Sequence, residues 1–219
     1  AKLDKQFSRR PLGQAQTKKE PSAASERLRI TSDQFDLEPG WAVFRGTVLV
    51  KDVDGRLGSD SIAVGMREDD WEVKTIRAVG SVVLQAKQIK TTSEQANYDL
   101  VAGLIVLKGS PSWTMGARSG RANLLMIHRE SQSVNAEGEV AMKLPVDSEG
   151  EGELLDFTAS GDGTTDGRPL EIRSNVFLFQ AATPDQTGFA RYIGWVRLAR
   201  GEGRMRCSFL NVRLAKGTG

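Results

Sequence analysis

At 219 residues, with 39% hydrophobic and 26% charged side chains and a formal net charge of +2, the chain has the composition of a soluble protein with room for a substantial core. The near-neutral balance excludes bulk polyanion binding and argues against nucleic acid as a partner. One cysteine excludes an internal disulfide, one histidine leaves no zinc ligand set, and no apolar run approaches the ~18 residues of a membrane-spanning helix.

Residues 1–27 hold seven Lys/Arg against three Asp/Glu and show neither helical nor strand periodicity, which predicts a disordered, weakly basic lead. It reads as a tail or tether, or as a means of attachment near an anionic membrane surface.

Residues 28–144 read as a repeat. An apolar strand runs into a glycine and continues beyond it at Phe44-Arg45-Gly46, Ala78-Val79-Gly80, Leu107-Lys108-Gly109, Ala136-Glu137-Gly138 and, further on, Tyr192-Ile193-Gly194. At even offsets from these glycines the residues are apolar or aromatic throughout. They include Ala42, Phe44, Val48 and Val50 around the first glycine, and Ile76, Val82 and Leu84 around the second. Ile105, Leu107, Pro111 and Trp113 surround the third, and Val140 and Met142 follow the fourth. Odd offsets are mixed, as at Arg45, Lys108 and Glu137. A period of two means extended strands with one buried face.

Between the glycines lies a second unit, a small residue followed usually by a polar one. It occurs at Ser32-Asp33, Ser59-Asp60, Ser93-Glu94, Ser119-Gly120, Ser174-Asn175 and Cys207-Ser208. The apolar positions switch parity across it, which no in-register strand does, so a bulge or corner is expected there. The chain is thus a series of two-arm rungs, about six in number. Polar turns between the arms are expected at residues 52–55, 67–72 and 128–132. Residues 145–167 turn acidic and glycine-rich, a long loop or hinge with room for one strand, and 168–219 resume the pattern to continue or cap the stack.

Motifs for chemistry are incomplete. His128 stands alone in a predicted turn. The stretch from Asp162 to Gly167 resembles a calcium loop but has Arg173 where its bidentate glutamate belongs. Gly161/Gly163 and Gly201/Gly203 lack the third glycine of a dinucleotide fingerprint. No pair of carboxylates is singled out for glycoside hydrolysis. The sequence therefore points to no enzyme, no catalytic residue, no metal and no cofactor. The repeated apolar face is either closed core or the lining of a lengthwise groove that accepts acyl chains.

The rungs RLRITSDQFDLEPGWAVFRGTVLV, GRLGSDSIAV, EQANYDLVAGLIVLKGSP and SVNAEGEVAMKL resemble the OstA-like repeat of the LptA–LptC family of lipopolysaccharide-transport proteins. The resemblance covers residues 28–144 well and 168–214 more loosely. It implies an open, twisted β-jelly roll of stacked antiparallel rungs in the periplasm, with the export or anchoring segment outside this sequence. The implied function is the carriage of lipopolysaccharide, or a related glycolipid, by its acyl chains between inner and outer membranes. Family members associate end to end through edge strands, so other jelly-roll proteins of that system, or a second copy head to tail, are the expected partners. Leu28 and Ile30 match the family's lipid-contacting first strand. With Phe44, Val48, Val50, Ile76, Val82, Leu84, Ile105, Leu107, Trp113, Val140 and Met142 they form the expected lipid-binding groove. Lys51, Lys87, Lys90, Arg118 and Arg121 are candidate phosphate contacts. The alternative is a structural scaffold that polymerises end to end around a closed core.

Overall fold

The computed structural model describes residues 29–51, 55–67, 69, 71–86, 89–145, 168–183 and 186–214. Its elements are all strands: β1 (Arg29–Thr31), β2 (Gln34–Glu38), β3 (Trp41–Lys51), β4 (Gly55–Met66), β5 (Val73–Ala86), β6 (Ile89–Asp99) and β7 (Leu104–Lys108), followed by β8 (Ser112–Met115), β9 (Arg118–Arg121), β10 (Leu124–His128), β11 (Ser133–Leu144), β12 (Leu170–Gln180), β13 (Phe189–Arg200) and β14 (Gly203–Arg213). They join in one antiparallel, 14-stranded sheet.

The long strands are bent at mid-length. Register slips between Arg45 and Val48, Val79 and Val82, Glu137 and Val140, Arg173 and Val176, and Ile193 and Val196. Each bend divides the sheet into two arms. Arm one runs β1, then the outer halves of β3 to β6, then the β8–β9 hairpin, then the outer halves of β11 to β14. Arm two runs β2, the other halves of β3 to β6, then β7 and β10, and the other halves of β11 to β14. The C-terminal rungs extend the same sheet, because β12 pairs with β11 from Ser133 to Leu144.

Two kinds of corner alternate along the crease, and both have a local cause. In one kind a glycine at φ between +72° and +80° precedes a second left-handed residue: Thr47, Ser81, Ser110, Glu139 or Trp195. Two successive left-handed residues turn the strand while residues two before and two after the glycine, such as Ala78 and Val82, stay on the inner face. A side chain on the first is also barred by its neighbour: a Cβ on Gly80 would lie 2.3 Å from the Asp60 carboxylate, and one on Gly138 would lie 2.7 Å from the Asn123 amide. In the other kind the serine hydroxyl donates to the carbonyl two residues on. Ser32 donates to Gln34, Ser59 to Ser61, Ser93 to Gln95 and Ser174 to Val176, at 2.9–3.0 Å. That bond satisfies a carbonyl the bulge has freed from the ladder. The following Asp33, Asp60, Glu94, Asn123 or Asn175 then lies over the glycine of the next strand. This is why the two sequence units occur in alternation.

One corner is not where the repeat places it. Ser119 and Gly120 lie inside β9, and the corner falls at Ala122-Asn123, whose amide donates to the carbonyls of Glu137 and Gly138. Serine spacing misleads there because the β8–β9 hairpin changes the length of the rung. Gly120 has its own reason: it faces Trp113 across the ladder, and a Cβ on it would stand 2.2 Å from the indole. His128 likewise ends β10, exposed and paired with Leu104 and Ser133, and is not part of the turn that follows. The predicted lead at 1–27 and the acidic stretch, but for Pro145, lie outside the described residues.

The core follows the crease. Ile62, Leu107, Ala136, Ile172 and Val196 are fully buried, and Val82, Leu125, Val140 and Tyr192 are 1% exposed. The arms meet across it. The Tyr192 hydroxyl of arm two donates to Met142 Sδ of arm one at 3.6 Å, while its ring packs on Phe177 with centroids 4.9 Å apart.

Burial of that phenol has a measurable consequence. Loss of water around Tyr192 pushes its pKa well above the usual value, and the Arg118 charge opposes this only weakly. The fold therefore favours the neutral phenol. Its contribution is complete below about pH 10, where an unfolded tyrosine ionises, and is lost as pH rises beyond that value. In a spectrophotometric titration the Tyr192 phenol should ionise only on alkaline unfolding. Ionisation of Tyr192 near the ordinary value in the folded chain would contradict this packing.

Candidate functional site: two faces of arm one

The inner face carries the residues expected to line a groove, buried to different degrees. Val48, Val82, Leu107 and Val140, each two residues from a corner glycine, are at most 2% exposed and belong to the core cluster. Val50, Ile76 and Met142 are also buried, at 5–7% exposed. Ile30, Phe44, Ile105 and Trp113 are only half-buried against that cluster, and Leu84, paired with Thr91, is half-buried as well. Leu28 lies outside the described residues. The inner positions thus form one contiguous apolar layer in which fully buried and half-buried side chains alternate. Thr91, missed by a search for apolar residues, belongs to it: it pairs with Leu84 and Trp113, is 1% exposed, and its hydroxyl has no hydrogen-bond partner. At the β2 edge the layer is bare, with Phe35 57% and Leu37 58% exposed.

The candidate phosphate contacts do not come together. Lys51 pairs with Arg56, Lys90 with Gln85 and Thr114, and Arg121 with Ser112 and Ala141, all on the outer face of arm one. Arg118 pairs with Met115 on the inner parity, near enough to Tyr192 to act on its charge. Lys87 lies outside the described residues. Side chains three residues apart in β9 point to opposite faces, so one sheet layer stands between them.

Two depressions, of about 470 and 370 Å³, adjoin on that outer face. The first lies over β8, β9, β11 and β12 and the second over β12 to β14, with Glu171 and Arg173 bordering both. No cluster of His, Cys, Asp and Glu suited to a metal occurs among the described residues.

Residues 29–133 match the family model described as LptA/(LptD N-terminal domain) LPS transport protein. Through that stretch the chain belongs to this lipopolysaccharide-transport family. It is a periplasmic protein of that family, generally implicated in the handling of lipid. Among solved structures it is similar to LptH of Pseudomonas aeruginosa, described as the LptA-homologous periplasmic component of the lipopolysaccharide transport device. That likeness is at 17% identity with a TM-score of 0.48, over 68% of this chain and 96% of that one. No curated protein sequence matches.

Proposed function

We propose that this protein carries lipopolysaccharide, or a related glycolipid, by holding its acyl chains between the two arms of an open jelly roll. The observation that carries the reading is the unbroken inner layer of aliphatic side chains. It runs from Ile30 in β1 to Val212 in β14, and its half-buried residues Leu84, Ile105 and Trp113 keep part of their surface accessible. Apolar burial supplies roughly 0.8 kcal/mol per methylene withdrawn from water, before the cost of ordering the chain. The unpartnered Thr91 hydroxyl offers one hydrogen bond to an ester or amide group inside that layer. The bare inner side chains of β2 and the unpaired outer sides of β1, β2 and β14 support end-to-end association with another jelly roll or a second copy.

The test is site-specific photocrosslinking to lipopolysaccharide with the probe at Leu84 and, as control, at Val83, which is exposed on the outer face. Adducts at Leu84 and not at Val83 are the expected result. The tight packing of Val48, Val82, Leu107 and Val140 favours the second reading, a scaffold with a closed core. Adducts at neither position, from folded protein exposed to the lipid, would establish that one instead.

A further inference from the structure

The outer face of arm one carries a row of arginines that the sequence scatters over 86 positions, from Arg121 to Arg206. The ladder aligns them. Arg121 in β9 pairs with Ala141 in β11, Ala141 with Arg173 in β12, Arg173 with Arg197 in β13, and Arg197 with Arg206 in β14. Arg204 stands one step toward the rim, opposite Ala199. All five side chains are exposed. Directly opposed residues in an antiparallel pair have Cα atoms about 5 Å apart, and like charges so placed repel.

The cost is not relieved within the described residues. Among the described residues the one carboxylate in the face, Glu171, is held by Lys143 at 3.4 Å, and none of the five arginines forms an ion pair there. Three outer cations of arm two are held by neighbours. Arg45 is bound to Asp36, Arg77 lies over the Trp41 ring at 4.7 Å, and Arg191 lies over Phe189 while donating to Asn211. The arginine row also coincides with the two adjoining depressions, whose walls include Arg121, Arg173, Arg197, Arg204 and Arg206. An electrostatically unfavourable row in a concave surface is the arrangement of an anion site awaiting its ligand. Guanidinium forks at cross-strand spacing suit the oxygens of neighbouring phosphates better than single carboxylates.

We infer that the outer trough of arm one is a binding site for a phosphate-bearing ligand, a compact oligophosphate or the phosphorylated head group of a lipid. It lies on the opposite face of the sheet from the proposed acyl layer and does not depend on it. The two fail separately, one in crosslinking at Leu84 and the other in anion binding.

The experiment uses the whole chain with two probes. The first is inorganic pyrophosphate, followed by calorimetric titration and by thermal melting. The second is flotation with phosphatidylcholine vesicles, with and without phosphatidylglycerol. The variant is R173Q/R197Q/R206Q, and the control is K108Q/R213Q on the outer face of arm two. The expected result is that the wild type and control bind at least one probe and that the triple variant binds it about tenfold or more weakly. Melting in phosphate-free buffer confirms that the triple variant is folded, and a pyrophosphate that binds should raise the melting temperature of the wild type and control but not of the triple variant. Binding to pyrophosphate assigns a compact phosphate ligand, and binding confined to phosphatidylglycerol vesicles assigns a lipid head group. Binding to neither probe, or binding that survives in the triple variant because basic residues such as those of 1–27 supply it, overturns the site. So does pyrophosphate binding that appears only after the carboxylates between Asp147 and Asp166 are neutralised.

Discussion

Leu107→Ala should lower the free energy of unfolding by about 2–5 kcal/mol, the range for emptying a packed core position. Leu107 is fully buried at the crease in β7, with Ala96 and Leu125 as its cross-strand partners on either side. Both neighbours in its row are fixed by the ladder, so little collapse into the vacated space is available. Val79→Ala is the matched comparison. Val79 sits one residue before its corner glycine on the outer parity and is 53% exposed, so its loss should cost at most about 1 kcal/mol. Urea unfolding at constant m-value measures both. If Leu107→Ala cost no more than Val79→Ala, the crease would be an open channel and not packed core. The same pair of variants therefore locates the boundary between structural interior and proposed lipid surface.

Gly80→Ala should cost about 2 kcal/mol or more, against about 1 kcal/mol for Gly116→Ala. Both glycines have positive φ, +80° and +58°, and an L-residue pays roughly 1–2 kcal/mol for that conformation alone. Gly116, at the tip of the β8–β9 hairpin, has nothing within 4 Å of an added Cβ. Gly80 has Asp60 Oδ2 at 2.3 Å and its Cγ at 2.9 Å, so the carboxylate must leave the corner, taking with it the hydrogen bond from Ser81 at 3.2 Å. The added cost should then be recovered in part by Asp60→Ala, since removing the carboxylate makes room for the methyl group. A double-mutant cycle over Gly80 and Asp60 should show coupling, whereas Gly116 and Asp60 should be additive. Additivity at Gly80 would mean that its conservation of shape owes nothing to its neighbour.

Alternation around the five glycines identified the fold class and the inner face, because strand parity is a local property set by successive peptide planes. Most residues at even offsets, from Ala42 and Val48 to Val196 and Leu198, are buried. The corner serines were legible for the same reason, as a hydroxyl two residues from the carbonyl it satisfies needs no distant partner. Where rung length changed, that logic failed: Ser119 matches the spacing, but Ala122-Asn123 makes the corner, since what selects it is contact with Gly138 in the next strand. Openness was not legible either. Val82 and Leu84 have the same parity and chemistry, yet one is buried and the other half-buried. The arginine row was hidden more deeply. Arg197 follows its glycine by three residues while Arg173 and Arg206 precede the other kind of corner by one, offsets that become neighbours only when antiparallel strands align their corners. Sequence alone thus determined which residues face inward. Tertiary structure decided how closely the two arms meet and which charges share a surface, because both depend on the packing of strands far apart in the chain.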